Sequence, residues 1–248
     1  MEPTQSYRIW FTPRTGSTLL CKGLEDTGIA GKPGEFFTLF EHNSLLEKYE
    51  VSDYKALKQR LWREGTSANG VFGTKMFNDR KVMNELKQLR DNEGLDSAFL
   101  SDLFPNCKDI FLTRRNKVRQ AVSWWKAIKD NVWHIQPKQR KEENGGAFYE
   151  ANYDFAALSH LFKEAMLREC AIQEFFMQHD IHPLTIVYED MVSDFQGTIK
   201  RFIRYLNIAH DDFPIPQKYF QKTADSASEQ WVQRFRKDLQ QEMGQEIW

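Results

Sequence analysis

The sequence predicts an α/β protein in which a mostly parallel β-sheet is covered by helices on both faces. Four short runs rich in β-branched and aromatic residues have the character of strands. They are residues 7–11, 71–77, 109–113 and 184–188. The segments between them carry apolar residues at spacings of three and four, which is typical of helices with one buried face. Strands that alternate with helices favour a parallel sheet, because each helix returns the chain to the end where the next strand begins.

The elements follow one another in a regular order. Pro13 ends the first strand, and Gly28 lies just past the first helix, where a glycine commonly terminates a helix. The predicted helices cover residues 17–26, 54–64, 82–90, 118–130, 154–179 and 197–206. We predict one domain over residues 1–248, with a polar surface loop or lid near 131–152 and a C-terminal segment near 213–248 that ends in a charged helix.

Composition excludes several classes of protein. The chain is 41% hydrophobic and 28% charged, as in ordinary globular proteins. Its net charge of −1 gives no general attraction for nucleic acid or anionic lipid. No stretch approaches the ~20 apolar residues of a membrane span, and the N-terminus does not resemble a signal peptide, so we expect a cytoplasmic protein. Cys21, Cys107 and Cys170 have no metal-binding spacing and are expected to be reduced core thiols, with no metal site.

A candidate anion site follows the first strand. The segment TPRTGST forms a loop that opens a helix, so that unpaired backbone N–H groups and the positive end of the helix dipole face a ligand. Gly16 allows close approach, Ser17 and Thr18 supply hydroxyl groups, and Arg14 supplies a fixed charge. The alternative is a helix capped by Thr15 or Ser17, with a solvated arginine. The loop lacks the first glycine and the lysine of the Walker A motif, which weakens a kinase interpretation but retains phosphate binding.

A second candidate site follows the third strand. Arg114 and Arg115 lie where that strand ends, and Ser123 lies about two turns into the next helix. The carboxyl ends of parallel strands form the ligand crevice of open α/β sheets, so these groups suit a phosphate dianion. Ordinary surface arginines are the alternative.

These segments resemble PAPS-dependent sulfotransferases, and most closely the bacterial trehalose 2-sulfotransferase (Stf0-type) family. The family loop P-[KR]-[ST]-G-[ST]-[ST] occurs here as PRTGST at 13–18. The family also has an arginine at the end of a strand and a serine eight residues later, and Arg115 and Ser123 match that spacing. The segment TGxAGxPxEYF occurs at 27–37, with Phe36 in the place of the tyrosine. YEDM occurs at 188–191, and KTADSASEQW at 222–231 is similar to the family's nucleotide-closing loop. The resemblance extends over most of the chain.

The resemblance implies a P-loop-type sulfotransferase fold, with 3′-phosphoadenosine 5′-phosphosulfate (PAPS) as donor, PAP as product and no metal. It also implies a carbohydrate acceptor, with a trehalose-like sugar as first guess, and a homodimer, without nucleic-acid or membrane partners. The implied donor contacts are Arg14, Thr15, Gly16, Ser17 and Thr18 for the 5′-phosphosulfate, Arg115 and Ser123 for the 3′-phosphate, Tyr188 for the adenine, and Lys222 in the closing loop.

In the resembling enzymes the glutamate at the position of Glu35 removes the proton of the acceptor hydroxyl. Phe36 and Phe37 could bury this carboxylate and raise its pKa toward neutrality. We expect Phe37 and Lys75 to border the acceptor, and Lys75 to stabilise charge on the transferring group. From the residues alone, the alternatives are that Glu35 is a solvated loop residue and that Lys75 is a surface lysine.

Two other functions stay open. A P-loop kinase of a small metabolite would require ATP and Mg²⁺, and the missing Walker lysine argues against it. A catalytically silent nucleotide-binding or scaffold protein would keep the loop but not need Glu35. Turnover of labelled donor separates the silent protein from both enzymes.

Overall fold

The structure is a computed structural model that describes residues 2–77, 79–95, 100–131, 133, 150–208, 213–214 and 226–248. Its described residues form a four-stranded parallel sheet in the order β2-β1-β3-β4. The strands are β1 (Gln5–Phe11), β2 (Val71–Met76), β3 (Cys107–Thr113) and β4 (Leu184–Val187). The predicted α/β class with a parallel sheet is confirmed.

Helices connect the strands and follow the last of them. They are α1 (Ser17–Asp26), α2 (Leu45–Tyr49), α3 (Tyr54–Gly65), α4 (Arg80–Asn92), α5 (Lys117–Asp130), α6 (Phe155–Gln178), α7 (Tyr188–Ser193), α8 (Phe195–Tyr205) and α9 (Ser226–Met243). Several begin at an Asp or Asn whose side chain accepts a hydrogen bond from the first turn, as at Asp53, Asn116 and Asp154. The sequence did not predict the short helices α2 and α7. The sequence had suggested that Tyr188 ends β4, but in the structure β4 ends at Val187 and Tyr188 begins α7.

Both faces of the sheet are buried. Tyr7, Ile9 and Phe11 of β1 point into one core cluster, which also contains residues of α1 and α8. Trp10 of the same strand belongs to a second cluster, built with α3, α4 and α6. Because side chains alternate along a strand, this division places helices on opposite faces of the sheet, as the sequence predicted.

The strand order creates a crevice at the carboxyl ends of β1 and β3. β2 pairs with one edge of β1 and β3 with the other, so the connections leaving β1 and β3 diverge. Residues 12–16 follow β1 and residues 114–116 follow β3. A third cluster, formed by α5, α6 and α9, packs α5 in place beside this crevice.

The structure corrects the prediction of three core thiols. Cys21 is buried, but Cys107 is half-buried and Cys170 is exposed on α6. Among the helices of the described residues, none combines the length and apolar character needed to cross a bilayer. Most of the predicted lid, residues 132 and 134–149, lies outside the described residues, as do 215–225 of the C-terminal segment.

Candidate active site

The loop after β1 has a backbone suited to an anion. Gly16 is the N-cap of α1 with φ 85°, and no side chain caps this helix. Arg14 also has a positive φ, of 68°. The hydroxyl of Thr15 donates to the carbonyl oxygen of Thr12 at 2.8 Å instead of capping the helix. The alternative of an ordinary capped helix is therefore wrong, and the first-turn N–H groups of α1 have no side-chain acceptor at Gly16.

Side chains from the β3–α5 turn and from α5 bind the carbonyl groups of this loop. Gln120, with no exposed surface, donates from Nε2 to Thr12 Oγ1 and to the carbonyl oxygen of Pro13, both at 2.8 Å. Arg114 Nη1 donates to the carbonyl oxygen of Arg14 at 3.2 Å. Carbonyl oxygens repel anions, so engaging them with donors leaves the loop better suited to a phosphate or sulfate group.

A charged pair lies behind Gln120. Lys117 Nζ is 3.5 Å from Gln120 Oε1 and 2.5 Å from Glu169 Oε1 on α6. The hydroxyl of Thr113 donates to the same carboxylate oxygen at 2.8 Å. The loop conformation is thus supported from α6 through α5. Sequence reasoning missed Gln120, although a glutamine among the buried positions of a helix is a visible signal.

The Arg14 side chain joins the two predicted halves of the donor site. Its Nε donates to Ser123 Oγ at 3.0 Å, and its Nη1 donates to the carbonyl oxygen of Trp133 at 2.6 Å. Burial, with a smaller effect of the neighbouring charge on Arg114, lowers the pKa of Arg14 to about 10. Arg14 therefore stays a cation at neutral pH.

Arg115 lies on the surface and is paired with an acid. Its Nη2 is 2.6 Å from Asp190 Oδ2, and its side chain is 61% exposed. The backbone N–H groups of Arg115 and Asn116 donate to Glu189 at 2.9 and 3.1 Å. Burial alone would raise the pKa of Glu189, but these hydrogen bonds outweigh it and lower that pKa. The two predicted 3′-phosphate ligands have different partners here, because Arg115 contacts Asp190 while Ser123 contacts Arg14.

Tyr188 lies against the loop. A Cβ atom built on Gly16 would be 2.7 Å from Tyr188 Cδ2, so only a glycine fits at this point without a shift. Arg114 Cζ is 4.6 Å from the centroid of the same ring. The predicted adenine contact is thus placed beside the predicted phosphosulfate loop.

Lys75 connects Glu35 with the loop. Its Nζ is 2.7 Å from Glu35 Oε1, and it lies 3.4 Å from Ser17 Oγ and 3.5 Å from Thr18 Oγ1, at the limit of a hydrogen bond. Lys75 is only 6% exposed, so the alternative of a surface lysine is wrong. Glu35 therefore lies one side chain away from the anion loop.

The aromatic residues next to Glu35 face the core. Phe37 is 1% exposed, and its ring centroid is 5.8 Å from that of Phe104. The Phe36 ring stacks on Phe72 at 6.0 Å. The Glu35 side chain is 34% exposed. These positions correct two expectations: the rings leave the carboxylate one-third exposed, and Phe37 has almost no exposed surface to offer an acceptor.

Two further predictions concern Lys222 and metal binding. Lys222 lies outside the described residues. Over the part of the chain that the structure describes, no group of three His, Cys, Asp or Glu residues is placed to hold a metal ion.

Two curated relatives are similar to this chain over nearly its whole length. The trehalose 2-sulfotransferase of Mycolicibacterium smegmatis is 26% identical over an alignment of 265 positions, gaps included, that covers 96% of each chain. The trehalose 2-sulfotransferase of Mycobacterium tuberculosis strain Erdman is 26% identical over an alignment of 258 positions, gaps included, that covers 93% of this chain and 94% of the relative.

A solved structure shows a similar fold, and a family model identifies the family. The crystal structure of a sulfotransferase from Alicyclobacillus acidocaldarius has the same fold, with a TM-score of 0.51 and 14% identity over 100% of this chain and 98% of that one. The model of the Stf0 sulphotransferase family matches residues 6–238. That match includes the loop after β1, Glu35, Lys75 and the Arg115 to Ser123 segment. The chain therefore belongs to the Stf0 sulphotransferase family and is an enzyme of that class.

Proposed function

We propose that this enzyme transfers a sulfuryl group from PAPS to a hydroxyl of a sugar, with a trehalose-like acceptor as the first candidate. Family membership supports the reaction class, and the names of the two relatives support a sugar. The observation that carries the proposal is the position of Lys75, whose ammonium contacts the Glu35 carboxylate and reaches two hydroxyls of the anion loop. The Lys75 ammonium would thus serve both the proposed proton acceptor, Glu35, and the anion-binding loop.

The donor would be held by groups that the crevice brings together. The N–H groups and hydroxyls at 16–18, with the Arg14 cation, suit the phosphosulfate. Because the hydroxyl of Thr15 is engaged with Thr12, a contact from Thr15 would come from its backbone N–H. Tyr188 lies next to Gly16, where it suits the adenine. Lys222 keeps its proposed role in the closing segment.

The 3′-phosphate would be bound by Arg115 and Ser123. Arg115 would exchange its exposed ion pair with Asp190 for the phosphate, and such exposed pairs contribute little stability. Ser123 already accepts a hydrogen bond from Arg14, so it is placed to link the two phosphate subsites.

Glu35 would accept the proton of the acceptor hydroxyl while the oxygen of that hydroxyl attacks the sulfur of the donor. The bond between the sulfur and the phosphate oxygen of the donor breaks, and PAP leaves. Lys75 and Arg14 would stabilise the charge that develops on the transferred group and on the leaving phosphate. Positioning and electrostatics supply the rate, as in phosphoryl transfer. We also propose a homodimer, on the family resemblance alone, and a cytoplasmic location.

Incubation with ³⁵S-labelled PAPS and a panel of sugars and small alcohols tests this function. We expect labelled product with trehalose or a related disaccharide, and no transfer from γ-labelled ATP with Mg²⁺. Transfer of the label from ATP, with none from PAPS, would establish the kinase instead. Tight PAP binding without transfer to any acceptor would favour the silent nucleotide-binding protein.

A further inference from the structure

Lys48 on α2 directs its ammonium group at the backbone of the Glu35 segment. Its Nζ donates to the carbonyl oxygens of Glu35 at 3.1 Å, Phe36 at 3.0 Å and Thr38 at 2.8 Å. An ammonium group has three N–H donors. All three are therefore accounted for by one stretch of four residues, and the chain curls around the cation there.

The surroundings make this contact strong. The Phe40 and Tyr49 ring centroids lie 5.7 and 5.0 Å from Lys48 Nζ, within the range of cation–π attraction. Burial lowers the pKa of Lys48, although the negative charge of Glu35 opposes that change. A partly desolvated cation needs its hydrogen bonds, so the curled backbone and the cation depend on each other. The Tyr49 hydroxyl adds a hydrogen bond to the carbonyl of Phe36 at 2.9 Å.

The other side of the segment is fixed by the sheet. The backbone N–H of Lys75 on β2 donates to the carbonyl oxygen of Gly34 at 2.9 Å, and Gly34 forms a parallel bridge with Thr74. Glu35 thus lies between a carbonyl held by β2 and carbonyls held by Lys48. Its Cα has anchors on both sides, while its carboxylate contacts Lys75.

We infer that Lys48 is a positioning residue that holds Glu35 in place for proton transfer from the acceptor. This inference rests on the proposed function, in which Glu35 is the proton acceptor. Lys48 acts through the Glu35 backbone and touches neither substrate nor donor in this account. A displacement of about 1 Å in a reacting group can lower a rate on the order of 10²-fold.

Lys48→Met tests the inference, because methionine keeps an unbranched apolar stem but has no N–H donors. Lys108→Met is the matched control. Lys108 also donates to a backbone carbonyl, that of Tyr205, and lies over the ring of that residue. It stands at the start of β3, at the end of the sheet opposite the crevice. The same chemical change there should leave transfer unaffected.

The measurement is a double-mutant cycle on kcat, with KM for PAPS and affinity for PAP measured on every variant. We expect Lys48→Met to lower kcat on the order of 10- to 100-fold with PAP affinity unchanged. In the Glu35→Gln background the same change should have no further effect, because there is no longer a base to position. Tyr49→Phe, a milder change, should lower kcat less and also lose its effect in that background. It keeps the test valid if Lys48→Met fails to fold.

Two results would overturn the inference. One is an unchanged kcat in Lys48→Met beside a collapsed kcat in Glu35→Gln. The other is an equal loss from Lys48→Met with and without Glu35, since that would mean it acts independently of the carboxylate. Failure of the proposed function looks different, because then Glu35→Gln itself transfers at nearly the original rate.

Discussion

Replacing Gly16 by alanine tests the packing of the anion loop against Tyr188. Gly16 has φ +85°, a conformation that residues with a Cβ atom adopt at a cost. Its new Cβ would lie 2.7 Å from Tyr188 Cδ2 and 2.9 Å from Met191 Cε. Atoms do not remain this close, so both side chains must move away from the loop.

The magnitude has two parts. The left-handed backbone costs an alanine roughly 1–2 kcal/mol. Moving the packed Tyr188 side chain about 30° off its preferred rotamer adds roughly 0.5–1.5 kcal/mol, while the flexible end of Met191 gives way at little cost. Gly28→Ala isolates the first part, because Gly28 has φ +71° with no atom within 4 Å of the position of its Cβ. We therefore expect Gly16→Ala to lose about 1 kcal/mol more unfolding free energy than Gly28→Ala.

Urea denaturation measures the two unfolding free energies, and calorimetric titration measures PAP affinity. Gly16→Ala should weaken PAP binding about fivefold, because binding would have to restore the displaced loop against that cost of about 1 kcal/mol. Gly28→Ala should bind PAP normally. Equal losses of stability in the two variants, or unchanged PAP binding in Gly16→Ala, would refute the packing of the loop described here.

Three further predictions concern single side chains. Arg115→Ala should weaken the binding of PAP more than the binding of adenosine 5′-phosphosulfate, which lacks a 3′-phosphate. Equal losses of affinity for the two ligands in a competition assay would contradict the proposed contact. Gln120→Leu leaves loop oxygens without their hydrogen-bond donor, so it should lower the unfolding free energy in urea by about 1–3 kcal/mol and should also lower the affinity for PAP. An unchanged affinity would mean that the loop keeps its shape without the hydrogen bonds of Gln120. A thiol reagent at pH 8 should modify exposed Cys170 first by mass spectrometry, because burial raises the pKa of Cys21 and of Cys107 to about 12; early modification of Cys21 would contradict its buried position.

The long elements could be predicted from sequence because their apolar periodicity is local. The first helix was predicted at its observed bounds, and each strand to within two residues at either end. Helices α2 and α7 have five and six residues, too few for a periodic pattern. Tyr188 follows LTIV without a break in apolar character, so it looked like part of the strand. The next residue, Glu189, accepts hydrogen bonds from the β3–α5 turn. Its partners there are 73 and 74 positions away in the sequence, so no local pattern could reveal the contact.

The site was predictable where the chemistry lies in side-chain type and order along the chain. The loop at 13–18 and Ser123 are joined through Arg14, and Glu35 is placed near the loop through Lys75. Lys48 was missed because it acts on backbone carbonyls, which neither residue type nor spacing encodes. Gln120 also acts on a backbone carbonyl, and its one sequence signal, a glutamine among the buried positions of a helix, was overlooked. Phe37 was misplaced because sequence alone does not say which side of a loop faces the core.

The role of Glu35 as the base is tested most directly by the transfer rate of Glu35→Gln with labelled PAPS and a competent acceptor, measured beside its affinity for PAP. Glutamine keeps the size and hydrogen-bonding ability of the side chain but cannot accept the proton. We expect a loss of ~10²–10⁴ in kcat with PAP affinity unchanged, because donor binding does not depend on the base. Transfer at nearly the original rate would contradict that role, and would mean that the carboxylate beside Lys75 is not the base.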